Sequence, residues 1–429
     1  MTEKDPLRSG YFGGFSSIVG GEAFGYLSPF FNGVDYHGQA VQVDLSRFRD
    51  ESAETYCEDM DPAALEAGCV FRTVDLEAVD PQLKGFTGGF VYDGKAYFIP
   101  FHNGEGAATK LVRIDAVTFD AASVEVLDVG LVDPTVGGFA GGFESQGMAY
   151  LVPSRANFGP VGGVNTKLPA DGHQGYNYFT GTIAELHEAG SRLTAHYSSK
   201  LVRVDLSTFT AAGVEVLDLA LVDEELRGFS GGFAAGDFGY LVPYKHREEE
   251  GQYSGKVVRI NLSDFTGSGV TVLNLADKDP GLQGYVGGFA HGKWGVLVPY
   301  SNGQAEVNPR GRSQSGEVVF VDLTDFSVAG VQTIDLAKAS RQQMPPQPDP
   351  NLRGFVGGFA FGPHIYVSPH SNGIFFGSVA RLDMQDMLEM AAGNTPEGND
   401  GLQVLNLQQD DRDYAGFSGM FHSHDTSCH

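Results

Sequence analysis

Six short runs of the chain end in proline, at Pro29, Pro100, Pro153, Pro243, Pro299 and Pro369, and the residues just after them gather side chains able to do chemistry. They read Phe30-Phe31-Asn32, Phe101-His102-Asn103, Ser154-Arg155-Ala156, Tyr244-Lys245-His246, Tyr300-Ser301-Asn302 and His370-Ser371-Asn372. Asn followed by Gly, found in four of the six, has a plain reading as a tight turn with positive φ. What differs between copies is more telling, because turn geometry does not require it: His102, Arg155, Lys245, His246 and His370, beside aromatic Phe30, Phe101, Tyr244 and Tyr300. An isolated histidine at such a place is ordinarily just solvated. Aromatic platforms with hydrogen-bonding tips, however, suit a small polar ligand, a glycan or a protein segment. The candidate ligand-binding set is His102, Asn103, Arg155, Tyr244, His246, Tyr300, Asn302, His370 and Asn372.

Carboxylates recur as well, at Asp44, Asp115, Asp205, Asp322 and Asp383, and again at Asp80, Asp133, Asp223, Asp279 and Asp349. Repetition argues for structure, since a short carboxylate accepts backbone N–H groups at a strand-to-turn junction, and Asn261 replaces Asp where the same role is served. The tail His422, His424, Asp425, Cys428 and His429 has soft-metal ligand types but lacks the paired spacing of a structural zinc site, so no metal is assigned there. No Gly-x-Ser-x-Gly elbow or His-Glu-x-x-His helix occurs, and no catalytic residue is assigned.

These residues are positioned by a repeat. A Gly-aromatic-x-Gly-Gly-Phe segment begins at Gly85, Gly138, Gly228, Gly284 and Gly354, with looser copies from Gly10 and Gly416. In the regular copies a proline follows ten residues after the last Phe. A third segment of the type Lys200-Leu201-Val202-Arg203-Val204-Asp205-Leu206 comes next, then a fourth of the type Val214-Glu215-Val216-Leu217-Asp218-Leu219. All four are short, rich in β-branched or aromatic residues and bounded by Gly, Asn, Asp or Pro, which predicts a four-stranded antiparallel meander. A phosphate-cradling role for the Gly-Gly pairs would need a following helix and usually a Lys, and neither is present.

Six such meanders resemble the blades of a six-bladed β-propeller, an all-β fold, over residues 10–421. The expected blades are 10–76, 85–129, 138–219, 228–275, 284–336 and 354–407, in a single domain. Seven inner copies against six of each other strand predict that a terminal Gly-rich strand closes the ring, with 416–421 as the closing strand, while the choice between the Gly10 and Gly416 copies to complete blade 1 stays open. Alternation should let the rings of one blade fill the space left by glycines of the next. In this architecture the second-to-third-strand loops and the inter-blade loops share one rim. Insertions 154–199, 304–315 and 337–350 fall there, whereas 49–69, with Cys57 and Cys69, falls opposite. Thr182-Ile183-Ala184-Glu185 reads as a capping box opening a short helix, either a lid or an outer-rim element. A ring of carboxylates could hold Ca²⁺, as the resemblance to some propeller hydrolases and lactonases implies, but a hard cation needs about six to eight converging oxygens.

Composition sets the outer limits. The chain has 429 residues, 59 of them Gly, about twice the usual share, and a formal charge of -26. That charge disfavours nucleic acid and anionic membrane surfaces while admitting cations and basic partners. Three cysteines are too few for a disulfide scaffold, and the pair Cys57 and Cys69 leaves the redox compartment open. No signal-peptide stretch or run of 18 apolar residues occurs, so a soluble protein without membrane insertion is expected. The leading expectation is a ligand- or protein-binding propeller acting through the loop-bearing rim. The alternatives are a metal-dependent hydrolase, lactonase or lyase at the channel mouth, and an acidic structural or surface protein.

Overall fold

Alternating aromatic and small residues, interrupted by Gly, Asn and Asp, favour pleated strands over helices. In the computed structural model they pair as six four-stranded antiparallel sheets, each built from strands consecutive in the chain except in blade 3, where the two-stranded pair Arg155–Ala156 and His196–Tyr197 stands between the second and third strands. The structure describes residues 10–32, 35–46, 70–156, 196–246, 252–304, 313–339, 349–391, 401–409 and 415–419. The sheets stand in a ring, and the fold is a six-bladed β-propeller. Its innermost strands are Tyr11–Val19, Phe86–Tyr92, Phe139–Ser145, Phe229–Ala235, Tyr285–His291 and Phe355–Phe361. The outermost are Phe71–Asp75, Glu125–Asp128, Val214–Asp218, Val270–Asn274, Val331–Asp335 and Leu402–Asn406.

The glycines of the inner strand have two separate jobs. The first of the Gly-Gly pair sits at a bulge: pairing jumps from Phe86↔Pro100 to Gly89↔Phe98, with Gly88 at φ +66° between them. Only Gly takes that conformation without strain. The second of the pair faces the preceding blade, whose side chain presses into the space a Cβ would fill: Phe15 at Gly89, Phe143 at Gly232 and Phe289 at Gly358. The rings of one blade thus pack on the glycines of the next, as the alternation predicts.

The same Phe stacks across its own sheet on a tyrosine of the second strand, with ring centroids 4.9 Å apart for Phe90 and Tyr97, 5.0 Å for Phe143 and Tyr150, and 5.2 Å for Phe233 and Tyr240. Third-strand arginines then tie blade to blade. Arg113 donates to Leu206 O at 3.2 Å and lies over Phe209, and Arg203 does the same with Leu262 O at 3.2 Å and Phe265. Five apolar clusters fill the wedges between successive blades, from the first with the second to the fifth with the sixth. Each fully buried aliphatic or aromatic side chain there contributes about 1.5–3 kcal/mol.

The helix Met384–Ala391 stands between the third and fourth strands of blade 6 and was not expected from the sequence. Asp383 starts it, accepting from Gln385 N at 2.9 Å and Asp386 N at 3.2 Å, and Met384 and Met387 are buried in the adjoining core.

The two loose copies of the repeat have different places. Tyr11–Val19 is the inner strand of blade 1, so the Gly10 copy completes that blade. Residues 415–419 form no strand ladder and lie between blades 6 and 1. There Gly416 N donates to Phe376 O at 3.1 Å, Phe417 N to Pro369 O at 2.9 Å, and Gly13 N to Ser418 O at 2.6 Å.

Candidate functional site

After each proline the chain leaves its sheet and turns back on itself. The N–H of the first or second residue after it donates to the Gly that opens its own inner-strand repeat, and in blades 2, 5 and 6 both do, as Phe101 N (3.0 Å) and His102 N (3.1 Å) do to Gly85 O. The second residue then bridges to a residue three positions before the third strand: Phe31↔Tyr36, His102↔Ala107, Arg155↔Tyr197, Lys245↔Tyr253, Ser301↔Gln314 and Ser371↔Phe375. These hairpins meet the inter-blade loops on one rim, where Gln283 Nε2 donates to Asn302 O at 2.7 Å and Asn372 Nδ2 to Asn351 O at 2.9 Å.

The first residue after each proline forms a ring around the axis. Phe30, Phe101, Ser154, Tyr244, Tyr300 and His370 are all buried. Phe30 packs on Phe12 and Phe101 at 5.3 and 5.8 Å, and Tyr300 on Tyr244 and His370 at 6.3 and 6.1 Å. The collar is therefore turned inward and packed against itself, not spread on the rim as an open platform. Ser154 is its one small member, and Arg155 stands beside it.

Of the residues singled out by sequence, His102, Arg155, Tyr244, Tyr300 and His370 share this collar and the layer just above it. His102 Nδ1 accepts from Gly104 N at 3.0 Å, and its ring lies 4.8 Å from that of Tyr36. Burial, and then the nearby positive charge of Arg155, hold its pKa down at about 4. Burial likewise lowers His370 to about 4, against the opposing pull of the Phe417 and Gly416 carbonyls. Burial also pushes the Tyr244 and Tyr300 hydroxyls well above the ordinary phenol range. Arg155 donates to the Tyr197 hydroxyl at 3.2 Å with its guanidinium 5.1 Å from the centre of that ring, and Lys245 Nζ lies 5.6 Å from the centre of the Tyr253 ring. At neutral pH the layer thus combines uncharged histidine and tyrosine with cationic arginine.

The remaining candidates serve the loops. Asn103 Oδ1 accepts from Glu105 N and Gly106 N, both at 3.0 Å, and Asn302 Oδ1 accepts from Gln304 N at 3.1 Å. The glycines after them, Gly104 and Gly303, have φ of 87° and 77°, which is the tight-turn role of Asn-Gly. Asn372 is buried and bonded to the inter-blade loop. His246 is half-buried. Sequence reasoning passed over Tyr36, Tyr197 and Tyr253, which cover the layer. Their signal was legible, an aromatic recurring three residues before the third strand.

The recurring carboxylates cap their own turns. Asp115 accepts from Val117 N (2.9 Å) and Thr118 N (3.0 Å), Asn261 from Ser263 N (3.0 Å), and Asp133 from Thr135 N (2.9 Å). Asp133 is held at about pKa 2 chiefly by Lys200, 2.6 Å away, and by Thr135. Because these oxygens are engaged blade by blade, they do not converge on one cation. Among the described residues no group of three or more His, Cys, Asp or Glu is arranged to hold a metal ion. The capping box at Thr182–Glu185, Cys57, Cys69 and the tail from His422 to His429 lie outside the described residues. No helix among those described is long and apolar enough to cross a membrane.

The fold and this collar define the class, a six-bladed propeller with a polar, partly cationic mouth. The chain matches no family model and no curated protein. Among solved structures it is similar to one titled "Structure of YjhT", at 12% identity and a TM-score of 0.49 over 93% of this chain and 98% of that one. At that distance the propeller reading rests on the chain's own sheets.

Proposed function

We propose that this protein is a non-catalytic binding scaffold that takes a small polar ligand, glycan or protein segment at the axial mouth of the rim carrying the second-to-third-strand loops. The observation behind this reading is the pair Arg155 and Lys245, only 4% and 7% exposed, on neighbouring blades of that rim. Removing a cation from water is costly, and turn geometry does not ask for one: Phe31, Ser301 and Ser371 serve the same position elsewhere in the ring. Guanidinium and ammonium groups backed by Tyr197 and Tyr253 suit a ligand that presents hydroxyl or carboxylate oxygens. The fixed hairpins beneath them keep the loss of freedom on binding small.

A thermal-shift panel of sugars, sugar acids and short peptides tests the reading, since a ligand at 100 times its Kd stabilises the folded state by about 2.7 kcal/mol. One class of compound should raise the melting temperature of the intact chain, and Arg155→Gln or Lys245→Gln should remove most of that rise. No response to any compound, or an equal rise in both variants, overturns the proposal.

A further inference from the structure

The sector between blades 6 and 1 differs from the other five. Leu27 of blade 1 is half-buried, whereas its counterparts Phe98, Leu151 and Leu241 are fully buried against the preceding blade. Val379 and Leu407 of blade 6 are also half-buried, whereas Leu201 and Leu219, their counterparts in blade 3, are fully buried against the next blade. The two apolar walls enclose a cleft of ≈ 520 Å³, floored by Phe417, Ser418 and Gly419.

The axis accounts for this difference. Gly416 N reaches Phe376 O at 3.1 Å, repeating the inter-blade bonds of Gly138 N to Ala108 O (3.2 Å), Gly284 N to Ser254 O (3.0 Å) and Gly354 N to Ser315 O (2.9 Å). Phe375 lies against Gly416 as Tyr253 lies against Gly284. A Cβ on Gly357 would come within 3.2 Å of Gly419 Cα, and one on Gly419 within 3.2 Å of Gly13 Cα. Residues 415–419 therefore stand where the inner strand of a seventh blade would stand, and the cleft lies where its outer strands would be.

We propose that this cleft is an acceptor groove for an extended apolar peptide strand from a partner, which adds antiparallel to residues 415–419 as the second strand of a seventh blade. The required chemistry follows from the existing second strands, such as Phe238–Pro243. There Tyr240, Leu241 and Val242 are all buried because both faces of the strand meet a neighbouring blade. Main-chain pairing on an inner edge with apolar pockets on either side is the geometry of strand addition.

The test uses the intact chain and a fluorescein-labelled synthetic peptide of residues 236–244, read by anisotropy. Saturable binding is expected, with Val379→Glu and Leu27→Glu, on opposite walls, each raising Kd by at least about tenfold. Ile18→Glu, at an exposed site on blade 1, should leave Kd within about twofold. Unchanged near-ultraviolet circular dichroism shows that the variants are folded. Absence of binding at about 200 μM peptide overturns the proposal, as does binding that neither wall substitution weakens. Two further outcomes also reject a partner strand: self-association of the chain that Val379→Glu abolishes, which makes a second copy the occupant, or at least tenfold tighter peptide binding by a chain shortened after Gly419, which makes residues 420–429 the occupant.

Discussion

Alanine substitution at three glycines separates backbone strain from the close approach of blades. Gly287, Gly88 and Gly292 have φ of 82°, 66° and 58°, so an alanine at any of them must hold a left-handed conformation at about 1–2 kcal/mol. Their surroundings differ. A Cβ at Gly287 would stand 2.9 Å from Gly357 Cα and 3.2 Å from its nitrogen, whereas at Gly88 and at the turn residue Gly292 no atom lies within 4 Å. Backbone cannot swing aside as a flexible side chain can, so overpacking at Gly287 adds about 1–3 kcal/mol. The gain from restricting the unfolded chain, about 0.4–1 kcal/mol, is common to all three and cancels in the comparison. Urea midpoints at constant slope should place Gly88→Ala level with Gly292→Ala, and Gly287→Ala below both by about 2 kcal/mol. Gly88 and Gly287 occupy the same place in the repeat. Equal losses at these two positions would refute the idea that axial packing, beyond φ alone, selects glycine.

Three further outcomes follow from the same geometry. His102 and His370 titrate near 4 in the folded chain against about 6.5 when unfolded, so the unfolded state takes up protons first as pH falls between those values. Stability measured by urea midpoints should therefore drop by about 3 kcal/mol per histidine from pH 6.5 to 4, and His370→Gln should flatten that slope. Asp115→Asn should lie within about 0.5 kcal/mol of the parent because Asn261 makes the same turn, and Asp115→Ala should lose about 1 kcal/mol. A large loss in Asp115→Asn would instead favour a cation-holding carboxylate. Arg203→Ala should cost about 2 kcal/mol by removing the bond to Leu262 O and the contact with Phe265, read in the same denaturation assay.

The propeller was legible because its signal is repeated six times. One Gly-aromatic-x-Gly-Gly-Phe segment is weak evidence, but its regular distance to Pro100, Pro153, Pro243, Pro299 and Pro369 fixes a meander and its order. The membership of the collar was legible from the same register. Its direction was not. Second strands such as Phe238–Pro243 are covered by blades on both faces, so the two-residue alternation that tells inside from outside is erased before the chain reaches Tyr244. His102 and His370, which by type belong at a surface, thus proved to be buried. The helix Met384–Ala391 escaped notice because eight residues give too few turns to show a period beside the strand pattern of the other blades. Blade 1's completion by the Gly10 copy, with residues 415–419 set beside it, depended on contacts between chain ends that no local pattern encodes.

Native-state hydrogen exchange of the intact chain tests most directly whether seven segments line this axis. The amides of Gly416, bonded to Phe376 O, and of Gly13, bonded to Ser418 O, should exchange as slowly as those of Gly284 and Gly354, which hold the place of Gly416 between other blades. Exchange of Gly13 and Gly416 at the rate of the turn amides of Gly20 and Gly21, while Gly284 and Gly354 stay protected, would contradict it.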